Sequence, residues 1–164
     1  AVELIEEGST IFLGTGTTVE QMASMLPAFR LRIVTNSLSV FNLLEEREDC
    51  DLCLVGGMYR RRTAAFVGPT AEDTLRALGI DAAFIGANGI LDGDVSTSNM
   101  DEGRIQQLAF SKADSRYLIA DSSKIGKRDF YTFCRLDSLD AVVCEPSISA
   151  EDRAAIEEHA QVIC

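Results

Sequence analysis

Positive charge is scarce in this sequence. Its 164 residues carry 15 Lys and Arg against 26 Asp and Glu, a formal net charge of −11. Neutralising phosphates supplies most of the non-specific affinity for DNA or RNA and takes a broad basic face, which this chain cannot form overall. Histidine is nearly absent, His159 being the only one. A zinc site on the Cys50-x-x-Cys53 pair would need a second pair of cysteines or histidines. Lacking them, Cys53 reads as a small core residue of a strand over 51–55. The five cysteines are odd in number and follow no signal peptide, which fits reduced thiols. No apolar run approaches the ~20 residues of a membrane span. These absences predict a soluble cytoplasmic protein without a metal.

What is present has the proportions of an ordinary globular domain: 46% hydrophobic and 25% charged residues. A chain of this size buries roughly 70% of its unfolded surface, enough for a single domain without disulfides. It opens at Ala1 without Met, inside an apparent helix containing Val2, Leu4 and Ile5, and is expected to continue a longer protein.

Short apolar runs alternate with stretches of helical period from end to end. Strands are predicted over 10–13, 31–35, 51–55, 82–85, 116–120 and 141–144. Such continuous runs suit a parallel sheet covered on both faces. Helices are predicted over 19–26, over 37–46 with Ser37 as N-cap and Leu38, Phe41 and Leu44 inward, over 69–78 with Pro69 in its first turn and Gly79 ending it, over 101–113, and from Ser149. His159 is expected on the polar surface of that last helix. The segments 58–67 and 91–100 fit no simple crossover and read as excursions that cover a pocket or form a subunit contact. The fold class is therefore α/β, a mostly parallel sheet with helices on both faces.

In such a sheet a ligand lies beyond the carboxyl ends of the strands. Here those ends carry Gly14-Thr15-Gly16-Thr17-Thr18, Asn36-Ser37, Gly56-Gly57, Gly86-Ala87-Asn88-Gly89 and Asp121-Ser122-Ser123-Lys124. Glycines let backbone N–H groups approach an anion, hydroxyls donate to its oxygens, and a helix N-terminus points its positive end the same way. That is the chemistry of a phosphate cradle. A dinucleotide fingerprint is missing, because Val19 stands where its third glycine belongs, and no G-x-x-x-x-G-K-[ST] occurs. A phosphorylated small molecule is left as the ligand class, with no bound cofactor. Basic residues gather locally, as Arg60-Arg61-Arg62 and as Lys124, Lys127 and Arg128. Lys124 is the stronger candidate for the anion, while Arg61 and Arg62 suit a solvated or interface loop equally well.

These residues resemble a family. Thr10 to Thr18, Val34-Thr-Asn-Ser37, Leu54-Val-Gly-Gly57, Val67-Gly-Pro69, Asp81 to Gly89 and Ala120-Asp-Ser-Ser-Lys-Ile-Gly126 stand in the order seen in the C-terminal effector-sensing domain of DeoR-type transcriptional repressors. The resemblance spans essentially the whole chain. It implies a fold like that of ribose-5-phosphate isomerase and glucosamine-6-phosphate deaminase, a sugar-phosphate-type effector at the strand ends, and control of sugar or polyol catabolism. It also implies a helix-turn-helix domain before Ala1 that binds operator DNA, and a homo-oligomer. Carried over residue by residue, Thr15, Gly16, Thr17 and Thr18 resemble the phosphate loop, Asn36 and Ser37 a second wall, Gly57, Arg60 and Asn88 further contacts, Asp101 and Glu102 an acidic pair for sugar hydroxyls, and Lys124 a charge partner. Two positions depart from the pattern: Asn88 replaces a frequent Asp, and Gln106 replaces the usual Lys.

The alternative is a sugar-phosphate isomerase or deaminase on the same fold. Proton transfer needs a positioned base that titrates near neutral pH. The isomerases this fold resembles carry acids in the motif that aligns with Gly86-Ala87-Asn88-Gly89, and here that motif has none. Asp101, Glu102 or Asp121 would have to substitute. The expectation is a sensor, not an enzyme.

Overall fold

A computed structural model describes residues 1–164. The apolar runs form one parallel sheet. Its strands, in chain order, are β1 (Thr10–Leu13), β2 (Leu31–Thr35), β3 (Cys50–Leu54), β6 (Ile80–Gly86), β9 (Ala113–Ile119), β11 (Ala141–Val143) and β12 (Gln161–Ile163). Across the sheet they run β12-β11-β9-β6-β1-β2-β3. Side chains alternate between faces along a strand, so Ile11 and Leu13 enter one core while Phe12 enters the other. On the first face lie α1 (Thr17–Ser24) and α2 (Leu38–Leu44), which bury Val19, Met22, Ala23, Val40 and Leu44. On the second lie α3 (Pro69–Arg76), α4 (Met100–Lys112) and α5 (Ala150–Glu157), which bury Leu75, Ile105, Ala109, Phe110 and Ile156. Both faces of the sheet are thus covered, as the continuous apolar runs predict.

The two excursions prove to be sheets of their own. Segment 58–67 is an antiparallel hairpin of β4 (Met58–Arg60) and β5 (Ala65–Val67). The second segment contributes to a three-stranded antiparallel sheet of β7 (Gly89–Leu91), β8 (Asp94–Thr97) and β10 (Tyr131–Arg135). The strand β12 carries no long apolar run and is not legible in the sequence; a three-residue edge strand is held by its ladder to β11 alone.

Several local expectations shift. The Ser37 hydroxyl caps α2 by accepting from the Val40 N–H at 3.2 Å, but the inward face is Val40 and Leu44, with Leu38 and Phe41 only half-buried. Helix α3 ends at Arg76, short of Gly79. The Ser149 cap of α5 holds, and its hydroxyl accepts from Asp152 N–H at 3.0 Å. His159 falls just beyond α5 and is half-buried against Gly93 rather than free on a helix surface. Val2–Leu4 form a single 3-10 turn.

Cys50 packs into the first core and Cys53 into the second, so the two thiols point to opposite faces of β3. All five cysteines are free, and no group of His, Cys, Asp and Glu has metal-binding geometry. No helix is long and apolar enough to cross a membrane.

Candidate functional site

From β1 the chain builds outward through β2 to β3, then returns to place β6 and β9 on the other flank. The order reverses between β1 and β6, and at such a switch point the loops diverge and leave a crevice. A cavity of about 380 Å³ lies there. Small-molecule sites measure roughly 300–1,000 Å³.

The loop after β1 forms one wall with Thr15, Gly16, Thr17 and Thr18. Gly16 is the N-cap of α1 at φ +115, a backbone conformation L side chains rarely adopt. Having no side chain, it caps nothing, whereas Ser37, Asn99 and Ser149 cap α2, α4 and α5 with theirs. The first-turn N–H groups of α1 have no intrahelical partner and open toward the cavity, together with the Thr17 and Thr18 hydroxyls. Gly86, Ala87 and Asn88 line the wall after β6, and Ala120 and Lys124 the wall after β9.

The hairpin tip closes the cavity from the side with Arg61, Arg62, Thr63 and Ala64. Neither arginine nor Lys124 has an acidic oxygen within ion-pair distance, although the chain is strongly acidic. Three cations therefore border one concave surface without carboxylate partners. Beside them Asp121 is held below the usual carboxylate range, first by hydrogen bonding with Ser123 and more weakly by the Lys124 charge. Glu145 is lowered likewise, first by hydrogen bonding with the Ser122 side chain and more weakly by the Ser122 N–H. Both contributions exist above the ordinary carboxylate range and are lost as acid protonates the two groups.

Of the residues expected at the site, Thr15, Gly16, Thr17, Thr18, Asn88, Glu102 and Lys124 line this cavity. Asn36, Ser37, Gly57, Arg60 and Asp101 do not. The reason is lateral distance: β2 and β3 lie one and two strands beyond β1, each step about 4.8 Å, and the hairpin covers their ends. The Asn36 amide donates to the Phe66 carbonyl at 3.1 Å, and its own carbonyl accepts from the Phe66 N–H at 2.8 Å, which stitches β5 to the sheet. Ser37 is spent on the α2 cap. Gly57 packs beneath Val67 and Ala71. Asp101 is exposed on the outer side of α4.

Arg60 turns to α4. Its Nε lies 2.7 Å from Glu102 Oε1 with poor hydrogen alignment, an ion pair rather than a formed hydrogen bond. The Thr63 hydroxyl donates to the same oxygen. Glu102, only 4% exposed, is thereby clamped by both arms of the hairpin turn. Neither Asp101 nor Asp121 reaches this cavity, so Glu102 and Glu20 are its only carboxylates. Asn88 is fixed as well: its amide donates to Asp129 Oδ2 at 2.9 Å and its N–H to the Ser96 carbonyl at 2.9 Å.

Thr97, Ser98 and Gln106, with Ser39 of α2, Val19 and Ile119, also line the cavity and lie outside the set of contacts the sequence suggests. The polar run Ser96-Thr97-Ser98-Asn99 before a capped helix is the signal that points to the first two. Gln106 stands where the family resemblance expects a phosphate-contacting Lys, and it reaches the wall through the packing of α4 against β6.

The family model for the DeoR C-terminal sensor domain matches residues 1–145. The chain is 42% identical over 165 residues to the lactose phosphotransferase system repressor of Staphylococcus epidermidis, covering 99% of this chain but 65% of that protein. Among solved structures it resembles ribose 5-phosphate isomerase A of Methanocaldococcus jannaschii, with a TM-score of 0.53 and 19% identity over 76% of this chain and 50% of that one. It also resembles the translation initiation factor eIF-2B of Pyrococcus horikoshii, with a TM-score of 0.56 and 10% identity over 86% and 58% of the two chains. One architecture thus serves an isomerase and a translation factor, so the architecture alone does not choose between catalysis and regulation.

Proposed function

The chain belongs to the DeoR C-terminal sensor-domain family, and on that footing we propose that it senses a phosphorylated sugar-like effector, held in the cavity beyond β1, β6 and β9. The observation that supports this reading most is the pairing of the uncapped α1 N-terminus with Lys124, Arg61 and Arg62, cations without carboxylate partners on the same concave wall. A phosphate would accept from the first-turn N–H groups and the Thr17 and Thr18 hydroxyls, while its charge meets the three cations. The sugar hydroxyls would then face Asn88, Ser98 and Glu102. Whole repressors of this kind extend well beyond the part this chain matches. In that setting the domain would serve a cytoplasmic homo-oligomer that controls sugar or polyol catabolism and grips operator DNA through a helix-turn-helix segment outside these residues. The effector would act by preferring one packing of the protomers, typically by ~1–3 kcal/mol.

Calorimetry with inorganic phosphate, fructose 6-phosphate, galactose 6-phosphate, ribose 5-phosphate and the matching free sugars tests the reading. A sugar phosphate is expected to bind at least about tenfold more tightly than its free sugar, since a charge-assisted contact contributes about 1.5–3 kcal/mol. No heat and no thermal shift with any phosphate would sink the proposal, and turnover of one would revive the isomerase. Lys124→Ala is expected to weaken sugar-phosphate binding about tenfold while leaving the melting temperature in place. Unchanged affinity would remove Lys124 from the site.

A further inference from the structure

The parallel ladder between β11 and β12 runs from Ala141 opposite Gln161 to Val143 opposite Ile163, and the next rung is kept, the Cys144 N–H donating to the Ile163 carbonyl at 2.9 Å. That rung sets Cys144 opposite Cys164. Neighbouring strands lie about 4.8 Å apart, and residues on one rung of a parallel pair project to the same face. Their Cα separation therefore falls within the roughly 4.4–6.8 Å that a disulfide spans. The face is the second core, which Val142, Cys144 and Val162 enter. The other cysteines are not so placed. Cys50 and Cys53 point to opposite faces of β3, the far edge of the main sheet, and Cys134 stands opposite Val95 in the three-stranded sheet.

The two thiols differ in their surroundings. Cys144 is buried, and burial pushes its thiol up to about 12, so it stays protonated. Cys164 is exposed, and the Arg153 guanidinium of α5 donates to its Sγ at 3.4 Å. Arg153 is fixed in that position, its Nε donating to Glu157 at 2.8 Å and its Nη2 to the Val162 carbonyl at 3.5 Å. An accessible sulfur beside a cation is suited to attack by peroxide, and a second thiol opposite it resolves the product. We infer that Cys144 and Cys164 form a reversible, redox-responsive disulfide whose oxidant is a hydroperoxide. The Cys164 thiolate attacks the peroxide: an S–O bond forms, the O–O bond breaks, and the leaving oxygen, met by Arg153, takes a proton from water and departs as alcohol, or as water from hydrogen peroxide. Cys164 is then a sulfenic acid, oxidised by two electrons. The Cys144 sulfur attacks it: the S–S bond forms, the S–O bond breaks, and the Cys144 proton leaves with the hydroxyl as water. The bond locks the edge strand β12 onto β11 and closes the segment that carries α5 into a loop.

The test treats the folded full chain with hydrogen peroxide, alkylates the remaining thiols in denaturant and maps the cross-linked peptides. Alkylated thiols are expected to fall from five to three, with a single bridge between Cys144 and Cys164, and dithiothreitol should restore all five. Cys144→Ser should stop at a Cys164 sulfenic acid that dimedone captures. Cys164→Ser should keep its other thiols reduced under the same exposure. Arg153→Ala should slow bridge formation about three- to tenfold, and an unchanged rate would remove Arg153 from the reaction. Melting curves establish that each variant folds. Peroxide treatment in denaturant, where no strand register exists, should scatter bridges among the five cysteines. The same scatter in the folded chain, a bridge to Cys134, or a Cys164 that passes on to sulfinic acid while Cys144 is still alkylated would overturn the inference. Bridging only between two chains, visible on a non-reducing gel, would overturn it as well.

Discussion

Arg60→Ala is expected to lower the unfolding free energy by about 2–3 kcal/mol, far more than an exposed arginine is worth. Glu102 is the reason. Its side chain is 5% exposed, and Arg60, 28% exposed, is its only cationic partner. Removing the guanidinium leaves a buried carboxylate held by the Thr63 hydroxyl alone. Breaking a fully buried pair costs about 3–5 kcal/mol, and the partial exposure of Arg60 lowers that figure. For a domain of this size the loss corresponds to a fall of roughly 4–12 °C in melting temperature. The sign of a second measurement identifies the cause. Adding Glu102→Gln to Arg60→Ala is expected to recover part of the lost stability, because a neutral amide tolerates burial where an uncompensated charge does not. If the double variant is less stable than Arg60→Ala, Glu102 is not the group that Arg60 supports. The pair also bears on function, since the turn it fastens carries Arg61 and Arg62 onto the cavity wall.

Arg60 shows where sequence reading succeeds and where it stops. The alternation of apolar runs and helical periods identifies six of the seven strands of the main sheet and the covering of both faces, because continuous apolar runs and capped helix starts are local signals. The small, polar strand ends point to the edge of the sheet where the cavity lies. They do not say which ends share a crevice. That depends on strand order, a non-local property: β1 and β6 flank the switch point and β9 lies next to β6, so Thr15 to Thr18, Asn88 and Lys124 converge while Asn36 and Gly57 serve the hairpin and Ser37 caps α2. Within the Arg triplet the choice is set by the pleat and turn of the hairpin. Arg60 closes β4 and reaches Glu102, and the next two residues sit in the turn facing the cavity. Three adjacent, identical residues offer no local signal for that division.

The catalytic alternative loses ground for a related reason. The family this chain belongs to is that of a sensor domain, and the relative it resembles is a repressor. The site shows how the same architecture is suited to that role. The residue at the end of β6, Asn88, holds no exchangeable charge and is tied to Asp129 and Ser96. Glu102 reaches the cavity, yet one of its oxygens is held by Arg60 and Thr63.

Gly57→Ala is expected to be more damaging still, by about 3 kcal/mol, although no atom of Gly57 lines the cavity. Two separate costs meet at this residue. Its φ of +149 lies where L side chains are strained. An added Cβ would also stand 2.7 Å from the Val67 carbonyl oxygen and 3.1 Å from the Ala71 Cβ, and the first of these is backbone that cannot step aside without moving β5. Two other glycines separate the costs. Gly8 has φ +81, and a methyl group added there would meet nothing within 4 Å, so Gly8→Ala carries the conformational cost alone, about 1 kcal/mol. Gly56, adjacent in sequence, has neither a strained φ nor a close neighbour, and Gly56→Ala is expected within about 0.5 kcal/mol of wild type or slightly more stable. Chemical denaturation of the three variants should therefore rank Gly57 well above Gly8, and Gly8 above Gly56. Because β5 carries the hairpin that presents Thr63 to Glu102 and the two arginines to the cavity, Gly57→Ala is also expected to weaken sugar-phosphate binding at temperatures where the domain is still folded. Full affinity in a folded Gly57→Ala variant would show that the effector does not need the hairpin seated.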